Sequence, residues 1–249
     1  MQQRFEKKGR FTPMRPKFNG EARLSWALSA LAGLLGATAF THSTEYFVTS
    51  MTGTGQLAVL GSFRDQRWVS ITAGFILLAF ILGVVTASLC RRHLCVAHAH
   101  GSTVLTTLSV TVASAVDVTL DGWSDKELPI APILLIAFGL GALNTSFVKD
   151  GEVSIPLSYV TGTVVKMAQG IERHISGGSI ADWLGNFLLF GSFTLGVTIG
   201  ACMHVMVTET AMLAIAAVMC ALMTGCTYFH ADRRTLLKAA GEPLADQTS

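Results

Sequence analysis

Two short polar segments are the clearest candidates for chemistry in this chain, and they share one composition. Thr52-Gly53-Thr54 and Thr161-Gly162-Thr163 each lie between long apolar runs. A threonine hydroxyl can both donate and accept a hydrogen bond, and a glycine weakens a helix so that backbone groups become available to a solute. These six residues are therefore predicted to bind a small solute. The alternative is structural, because threonine also bonds to a carbonyl one helical turn back and glycine permits close helix packing.

Two further polar residues belong with these segments. Asn144 lies in the apolar run that leads into the second segment, and Lys166 follows soon after Thr163. Asn144 either contributes to the solute site or forms an interhelical hydrogen bond. Because a lysine is costly at membrane depth, Lys166 either extends its amine towards the membrane surface or lines a cavity where it attracts an anion. We favour the cavity.

The remaining ionisable residues near apolar runs are expected to be interfacial. Asp117, His42 and Glu45 all lie close to the ends of such runs. A charged or titratable group at the end of a span reaches water at little cost, whereas one at its centre does not. No functional role is predicted for these three.

One group of potential metal ligands occurs in the chain. It consists of Cys90, His93, Cys95, His98 and His100. The spacing contains no Cys-x-x-Cys pair and no second group completes a site, so no metal is predicted. The sequence also lacks the short motifs of common hydrolases and of nucleotide-binding loops. We therefore expect neither an enzyme nor a cofactor.

The composition defines the class of protein that must position these residues. The chain has 249 residues, of which 51% are hydrophobic and only 14% are charged, and its mean hydropathy is +0.51. A soluble domain is about a quarter charged, so this chain is predicted to be an integral membrane protein. The net charge of +2 is too small to indicate a nucleic-acid partner. The expected partners are the lipid bilayer and an unknown small solute, and a homo-oligomer is compatible with both.

Six apolar runs are long enough to cross a bilayer. They extend over residues 24–41, 68–89, 103–120, 129–148, 183–204 and 210–229. The two Thr-Gly-Thr segments lie in separate stretches, Thr44–Phe63 and Ser154–Ile171, which are polar for a simple crossing. Irregular backbone at membrane depth persists only when it is buried in protein or lines a wet cavity. We therefore predict that both stretches are re-entrant or broken helices.

Loop charge favours six crossings over eight. The arm of residues 1–23 is basic, Arg91 and Arg92 occupy the first long loop between spans, and residues 121–129 are acidic. Lys and Arg are retained on the cytoplasmic side. Six crossings place the arm, the arginine loop and the tail of residues 230–249 in the cytoplasm, and the acidic loop outside. Eight crossings would place the arginine loop outside.

Six crossings divide the chain into two membrane repeats, residues 24–120 and residues 130–229. Phe80–Val84 in the first corresponds to Phe193–Val197 in the second. Three spans in each repeat give the repeats opposite orientations, and the two Thr-Gly-Thr segments are then expected to meet near the membrane midplane. The predicted fold is an all-α integral membrane protein with six transmembrane helices in two inverted three-helix repeats.

The segments Phe47–Gly53 and Tyr159–Thr163, together with Asn144, resemble the signature segments of the YoaK-type family of bacterial inner-membrane proteins. The resemblance covers essentially Leu24–Phe229. It implies a membrane protein of roughly six helices in the bacterial inner (plasma) membrane, and no established activity. The family usually has Asn where this chain has Thr54, and it often has Asp at the position of Gly36. No ion- or proton-handling role is therefore carried over.

Two functions follow as hypotheses from this pattern. The first is a secondary transporter or channel for a small uncharged or anionic solute, with a midplane site at the two Thr-Gly-Thr segments. The second is a non-transport membrane protein, an assembly or sensory partner, in which the repeats are architectural and the basic arm binds.

Overall fold

The structure, a computed structural model, describes residues 20–41, 43, 46–93, 100–121, 129–149, 152–155 and 157–239. Within these residues the chain forms eight helices and one short antiparallel hairpin. The helices are α1 (Gly20–Thr41), α2 (Met51–Phe63), α3 (Arg67–His93), α4 (His100–Asp121), α5 (Ile130–Leu143), α6 (Val160–Ile175), α7 (Ala181–Met206) and α8 (Glu209–Ala239). The strands β1 (Val148–Lys149) and β2 (Glu152–Val153) pair Val148 with Val153.

Five of these helices are long and apolar enough to cross a bilayer, which indicates a membrane protein. They are α1, α3, α7, residues 100–120 of α4 and residues 209–229 of α8. The sixth predicted span, residues 129–148, is shorter than expected, because α5 ends at Leu143. Its 14 residues extend about 21 Å at the rise of an α-helix.

The polar run after α5 explains this early end. The Thr145 and Ser146 backbone N–H groups donate to the carbonyls of Ala142 and Leu143, each at 3.0 Å. Their hydroxyls donate to the same two carbonyls, at 2.8 and 2.7 Å. The last turn is therefore satisfied locally, by the short-range bonds with which Ser and Thr compete against a continuing helix.

The helices α2 and α6 are short, and each folds back onto the long helix that follows it. At the end of α2, the Gln66 N–H donates to the Gly61 carbonyl at 3.0 Å, and Asp65 has a φ of 55°. At the end of α6, the Gly178 N–H donates to the Arg173 carbonyl at 2.8 Å, and Gly177 has a φ of 95°. Both ends are Schellman turns, in which one left-handed residue reverses the chain. As a result α2 packs on α3, and α6 packs on α7.

The backbones of α1 and α7 approach each other at two glycines. A Cβ atom added at Gly33 would overlap the Phe193 carbonyl and lie 3.0 Å from the Val197 nitrogen. A Cβ atom added at Gly196 would overlap the Ala30 carbonyl. Glycine is therefore required at both positions, because it lets two helix backbones pack this closely.

The helices α3 and α5 meet in the same way. A Cβ atom at Gly141 would overlap the Phe80 carbonyl and lie 3.2 Å from the Val84 nitrogen, and one at Gly83 would overlap the Phe138 carbonyl. The corresponding segments Phe80–Val84 and Phe193–Val197 thus make matching contacts. In each case the partner helix comes from the other half of the chain.

The helices α4 and α8 pack against each other in antiparallel orientation, through paired threonines. The hydroxyls of Thr103 and Thr227 are 3.0 Å apart, and those of Thr107 and Thr224 are 2.7 Å apart. The helix α4 also packs on α5, and α8 packs on α1. A core of fully buried side chains joins α1, α3, α5 and α8, including Leu28, Leu35, Ile76, Ile136, Leu140 and Leu213.

We predict that Gly83→Ala destabilises the protein, while Gly74→Ala on the same helix does not. At Gly83 the new methyl group must displace the α5 backbone, and overpacking of this kind costs about 1–3 kcal/mol or more. At Gly74 an added Cβ meets nothing within 4 Å, and alanine gains about 1 kcal/mol of helix propensity. Thermal unfolding of the purified variants in detergent measures the difference. Equal melting temperatures for the two variants would contradict the packing described above.

Candidate functional site

Both Thr-Gly-Thr segments lie in the first turn of a short helix. Residues 46–50 are non-helical and α2 begins at Met51, while residues 157–159 are non-helical and α6 begins at Val160. The break in the helix therefore precedes each Thr-Gly-Thr rather than occurring at its glycine, which corrects the prediction of a helix weakened in its middle. The N-cap residues, Ser50 and Tyr159, make no side-chain cap bond.

The second threonine of each segment stabilises the turn that contains it. The Thr54 hydroxyl lies 2.6 Å from the Phe47 carbonyl and 3.2 Å from the Ser50 carbonyl. The Thr163 hydroxyl donates to the Tyr159 carbonyl at 3.3 Å. Both threonines are buried, with exposed fractions of 0% and 3%. For Thr54 and Thr163 the geometry therefore corresponds to the structural alternative.

The first threonine and the glycine of each segment are more accessible. Thr52 and Thr161 are exposed, and Gly53 and Gly162 are partly exposed. A Cβ added at Gly53 would lie 3.5 Å from the Ser50 hydroxyl, an ordinary contact, whereas one at Gly162 would lie 2.8 Å from the Tyr159 ring. Thr52, Gly53, Thr161 and Gly162 are thus accessible members of the predicted set.

Asn144 fixes the non-helical residues before α6. Its side-chain amide donates to the Ser158 hydroxyl at 2.7 Å and to the Leu140 carbonyl at 2.9 Å, and its carbonyl accepts from the Ser158 N–H at 3.1 Å. Both donors of the amide are therefore used within the protein. Asn144 acts as a clamp between α5 and the chain entering α6, which is the structural one of its two predicted roles.

The non-helical residues before α2 are fixed at the matching place on α1. An added Cβ at Gly36 would lie 2.6 Å from the Thr49 methyl group, so Thr49 packs directly on the helix backbone. The positions in the two halves correspond. Gly36 comes three residues after Gly33, and Asn144 comes three residues after Gly141. Thr49 and Ser158 each lie three residues before a Thr-Gly-Thr segment. The first half therefore fixes its non-helical segment by close packing of Thr49 on Gly36, and the second half fixes its segment by the hydrogen bonds of Asn144.

A serine on α1 also contacts the chain entering α6. The Ser29 hydroxyl lies 2.9 Å from the Leu157 carbonyl and 3.3 Å from the Leu189 carbonyl. Ser29 and Gly36 are one heptad apart, so they lie on the same side of α1 and about 10 Å apart along its axis. Both non-helical segments thus pack on one side of α1. Sequence reasoning missed Ser29, Thr49 and Ser158, since a single hydroxyl in an apolar run has no distinctive spacing.

The two Thr-Gly-Thr segments do not meet. The helices α2 and α6 are described in full, and they make no contact with each other. The expectation of direct contact at the midplane is therefore wrong. The reason is that each short helix is held to its own long neighbour, α2 to α3 and α6 to α7.

Lys166 is exposed, so it does not line an enclosed cavity. It shares the outer face of α6 with Gln169 and Arg173, which are also exposed. The opposite face is apolar and also exposed, with Val164, Ala168, Ile171 and Ile175, while the buried Thr163 and Gly170 lie beside the polar face. This helix is amphipathic, and its polar face requires contact with water or with other polar groups.

Asp117 is buried, although an interfacial position was expected. Its exposed fraction is 3%, and no other Asp, Glu, Lys or Arg is buried among the residues whose side chains the structure describes. Asp117 lies two heptads after Thr103, and therefore on the side of α4 that faces α8. His42 and Glu45, which were expected at the interface as well, lie outside the described residues.

Of the five potential metal ligands, Cys95 and His98 lie outside the described residues. Cys90 is partly exposed and His93 is exposed at the end of α3. The His100 ring lies 5.4 Å from the Tyr228 ring, between centroids, where α4 meets α8. Nearby, the Arg91 guanidinium donates to the carbonyls of Thr145 and Val148, at 3.3 and 3.1 Å, and so ties the end of α3 to the chain that follows α5.

Long apolar helices and short helices that begin inside the bundle define a multi-span membrane protein. A family model described as "Protein of unknown function (DUF1275)" matches residues 24–226. The chain therefore belongs to this family. Because the YoaK-type family is a DUF1275 family, the match confirms the resemblance found in the sequence. No curated protein and no solved structure matches the chain.

We predict that Thr54→Val and Thr163→Val destabilise the protein, while Thr52→Val and Thr161→Val do not. Thr54→Val removes the hydroxyl donor of the Phe47 carbonyl, which costs about 1–3 kcal/mol. The Ser50 and Tyr159 carbonyls still accept the backbone N–H groups of residues 54 and 163, so Thr163→Val costs only the lost hydroxyl bond, about 0.5–1.5 kcal/mol. The exposed pair should change the free energy of unfolding by no more than about 0.5 kcal/mol. Unfolding in detergent, followed by circular dichroism, tests both pairs. Equal melting temperatures for all four variants would show that the first turns do not depend on the Thr54 and Thr163 hydroxyls.

Proposed function

We propose that the protein is a secondary transporter or channel for a small uncharged or anionic solute. The proposal is carried by one observation: α2 and α6 begin within the bundle, after non-helical segments that pack on α1 and α5. With 13 and 16 residues, these helices extend only about 20 and 24 Å. Non-helical backbone inside a membrane protein is tolerated where it is enclosed by protein or lines a water-filled cavity, and transporters bind solutes at such places.

Matching contacts in the two halves of the chain support this proposal, and we propose that the halves form an inverted repeat. The contact of Gly33 with α7 corresponds to the contact of Gly141 with α3. The contact of Gly196 with α1 corresponds in the same way to the contact of Gly83 with α5. The positions of Thr49 and Ser158, and of Thr54 and Thr163, match as well. With three crossings in each half, such a repeat is inserted in opposite orientations, and alternating access in many transporters depends on that arrangement.

The proposed site consists of two parts on one side of α1. Thr52 and Gly53 belong to the first part, and Thr161 and Gly162 belong to the second. Their anchoring points on α1, Gly36 and Ser29, are about 10 Å apart along the helix, a separation that a small solute can cross in one step. The accessible hydroxyls and the uncapped N–H groups of the first turns would replace water around the solute.

The polar face of α6 supports access from water on that side of the bundle. Lys166, Gln169 and Arg173 are poorly suited to hydrocarbon, so we infer that this face borders an aqueous space. The Lys166 amine there would attract an anion and would not hinder a neutral solute. The solute class is therefore proposed as uncharged or anionic.

We predict that proteoliposomes containing the purified protein take up at least one small solute from a panel of polyols, amides and monovalent anions. Thr52→Val and Thr161→Val should lower the uptake rate about 2- to 10-fold, because each loses one solute hydrogen bond of about 0.5–1.5 kcal/mol. Thr111→Val, at an exposed threonine of α4, is the matched control.

Uptake is followed as light scattering after an isosmotic solute gradient is imposed. The absence of flux for every solute in the panel, with the protein shown to be folded and inserted, would overturn the transport proposal. Deletion of residues 2–17 then tests the alternative partner function. A phenotype lost on deletion while the membrane core stays folded would establish that alternative.

We propose six crossings in the bacterial inner membrane, with both termini in the cytoplasm. A single cysteine introduced at position 125 of a cysteine-free variant should react with an impermeant maleimide added outside. A cysteine at position 92 should react only after the cells are opened. Position 125 lies outside the described residues, and Arg92 is exposed at the end of α3. The opposite result at both positions would support eight crossings.

A further inference from the structure

The short helices α2 and α6 are counterparts, and their positions correspond one to one. In each helix the buried residues are a threonine and a glycine seven positions later: Thr54 and Gly61 in α2, Thr163 and Gly170 in α6. Each helix packs on the long helix that follows it. Positions counted from these threonines therefore lie on the same side of the two helices.

The long helices α3 and α7 correspond in the same way. Gly83 on α3 and Gly196 on α7 make matching backbone contacts with the other half of the chain. Ile76 and Leu189, each seven residues before its glycine, are both buried. Residues of α3 and α7 can therefore be compared by counting back from these two glycines.

The space beside α2 and α3 is filled by side chains of the hydrophobic core. Leu57 on α2 packs against this core, and Ala73 on α3 is part of it with an exposed fraction of 0%. Towards the turn between the two helices, the hydroxyls of Ser62 and Ser70 are 2.8 Å apart. The contact of α2 with α3 is therefore closed to solvent at Leu57 and Ala73.

Polar residues occupy the corresponding positions of α6 and α7. Lys166 stands where α2 has Leu57, and Asn186 stands where α3 has Ala73. Lys166 is exposed and Asn186 is partly exposed. Near the start of α7, the Trp183 indole N–H is buried and has no hydrogen-bond acceptor among the described residues. Buried donors of this kind are usually satisfied by water, so the space beside α6 and α7 is suited to water.

Two further replacements have the same sense. Gln169 stands at the position of Leu60, and Asp182 stands at the position of Val69. The reverse replacement, Gln56 in α2 against a valine in α6, comes two residues after the buried threonine. It therefore lies on the side of α2 that is turned away from α3. The change from apolar to polar is thus concentrated on the side that packs on the core in the first half of the chain.

The exposure of Lys166 is best explained by water rather than by lipid. Its counterpart Leu57 packs on the core, so Lys166 lies on the inner side of α6. The exposed apolar residues Val164 and Ile171 lie on another side of this helix, where lipid suits them. An ammonium group is costly in hydrocarbon, whereas it is well solvated in a water-filled space.

We infer that the solute path is open to water beside α6 and α7 and is closed beside α2 and α3, where Leu57 forms the gate. With six crossings, α7 begins in the cytoplasm and α3 begins outside. The open entrance is then cytoplasmic and the gate is external. Release of a solute to the outside would require Leu57 to separate from α3. This inference rests on the proposed function only in treating the open space as a solute path.

Cysteine accessibility in a cysteine-free variant tests the inference without a ligand. Lys166→Cys and Asn186→Cys report on the open entrance, and Leu57→Cys and Ala73→Cys report on the gate. Val164→Cys is the matched control, because Val164 is exposed and lies at nearly the same depth as Lys166, but on the apolar face of α6. An impermeant thiol reagent is added to intact cells and, separately, to inverted membrane vesicles.

In inverted vesicles the two entrance cysteines should react at least about 10-fold faster than the two gate cysteines, because a thiol in contact with water ionises to the reactive thiolate more readily than a thiol in apolar surroundings. The gate cysteines should react slowly from both sides of the membrane, and Val164→Cys should react as slowly as they do. Equal rates at the entrance and the gate would overturn the inference. Reaction at position 164 as fast as at position 166 would also overturn it, since α6 would then have water on both faces.

The natural chain allows a second measurement without any substitution. A water-soluble amine reagent added to inverted vesicles should modify Lys166, as located by mass spectrometry, and the lysines of residues 1–23 serve as the internal standard. An unmodified Lys166 beside modified lysines in that arm would overturn the inference. The outcomes also separate the two proposals. A reactive entrance without flux for any solute keeps this inference and removes transport, whereas flux with an unreactive entrance does the opposite.

Discussion

The fold depends on the approach of helix backbones at four glycines. In a bilayer, burial of apolar surface gives helices little reason to associate, since lipid tails are as apolar as the side chains, and close packing takes its place. Gly33 and Gly196 provide such packing between α1 and α7, and Gly83 and Gly141 provide it between α3 and α5. The short helices, their first turns and the core between α1 and α5 all take their positions from these two pairs.

Hydroxyl groups add direction to this packing. A threonine or serine that donates to a backbone carbonyl fixes the rotation and the height of one helix against another, which an apolar contact does not. Such bonds are found between α4 and α5, and between α1 and both the chain entering α6 and α7. The middle of α8, residues 211–223, has no serine or threonine, so this stretch packs through apolar contacts.

Much of the helical framework could be predicted from the sequence, because a long apolar run allows few other structures in a bilayer. The run of residues 68–89 lies within Arg67–His93, and the run of residues 183–204 lies within Ala181–Met206. The ends of the helices were predicted less well, because local hydrogen bonds of polar residues determine them. The end of α5 depends on Thr145 and Ser146, and the start of α2 depends on Thr54, whose hydroxyl bonds reach four and seven residues back.

The candidate site shows the same limit. The residue types were identified from composition, but the burial of Asp117, the exposure of Lys166 and the separation of the two Thr-Gly-Thr segments depend on tertiary packing. A single sequence does not contain that information. The role of Ser29, which contacts chain segments 128 and 160 residues away, lay beyond any local pattern.

The interlocking of the two halves also constrains how the protein is made. Ser29 and its partner Leu189 are 160 residues apart, and a ribosome needs about 8 to 32 s to synthesise that length at 5–20 residues per second. During this interval α1 is already in the membrane while its main partner α7 does not yet exist. The glycine face of α1 must then be covered by lipid, by the insertion machinery or by a transient neighbour. The glycine-contact partners of α1 and α3 both lie in the second half of the chain. A fragment released at the midpoint of synthesis would therefore lack α7 for α1 and α5 for α3, although α3 would keep its packing with α2.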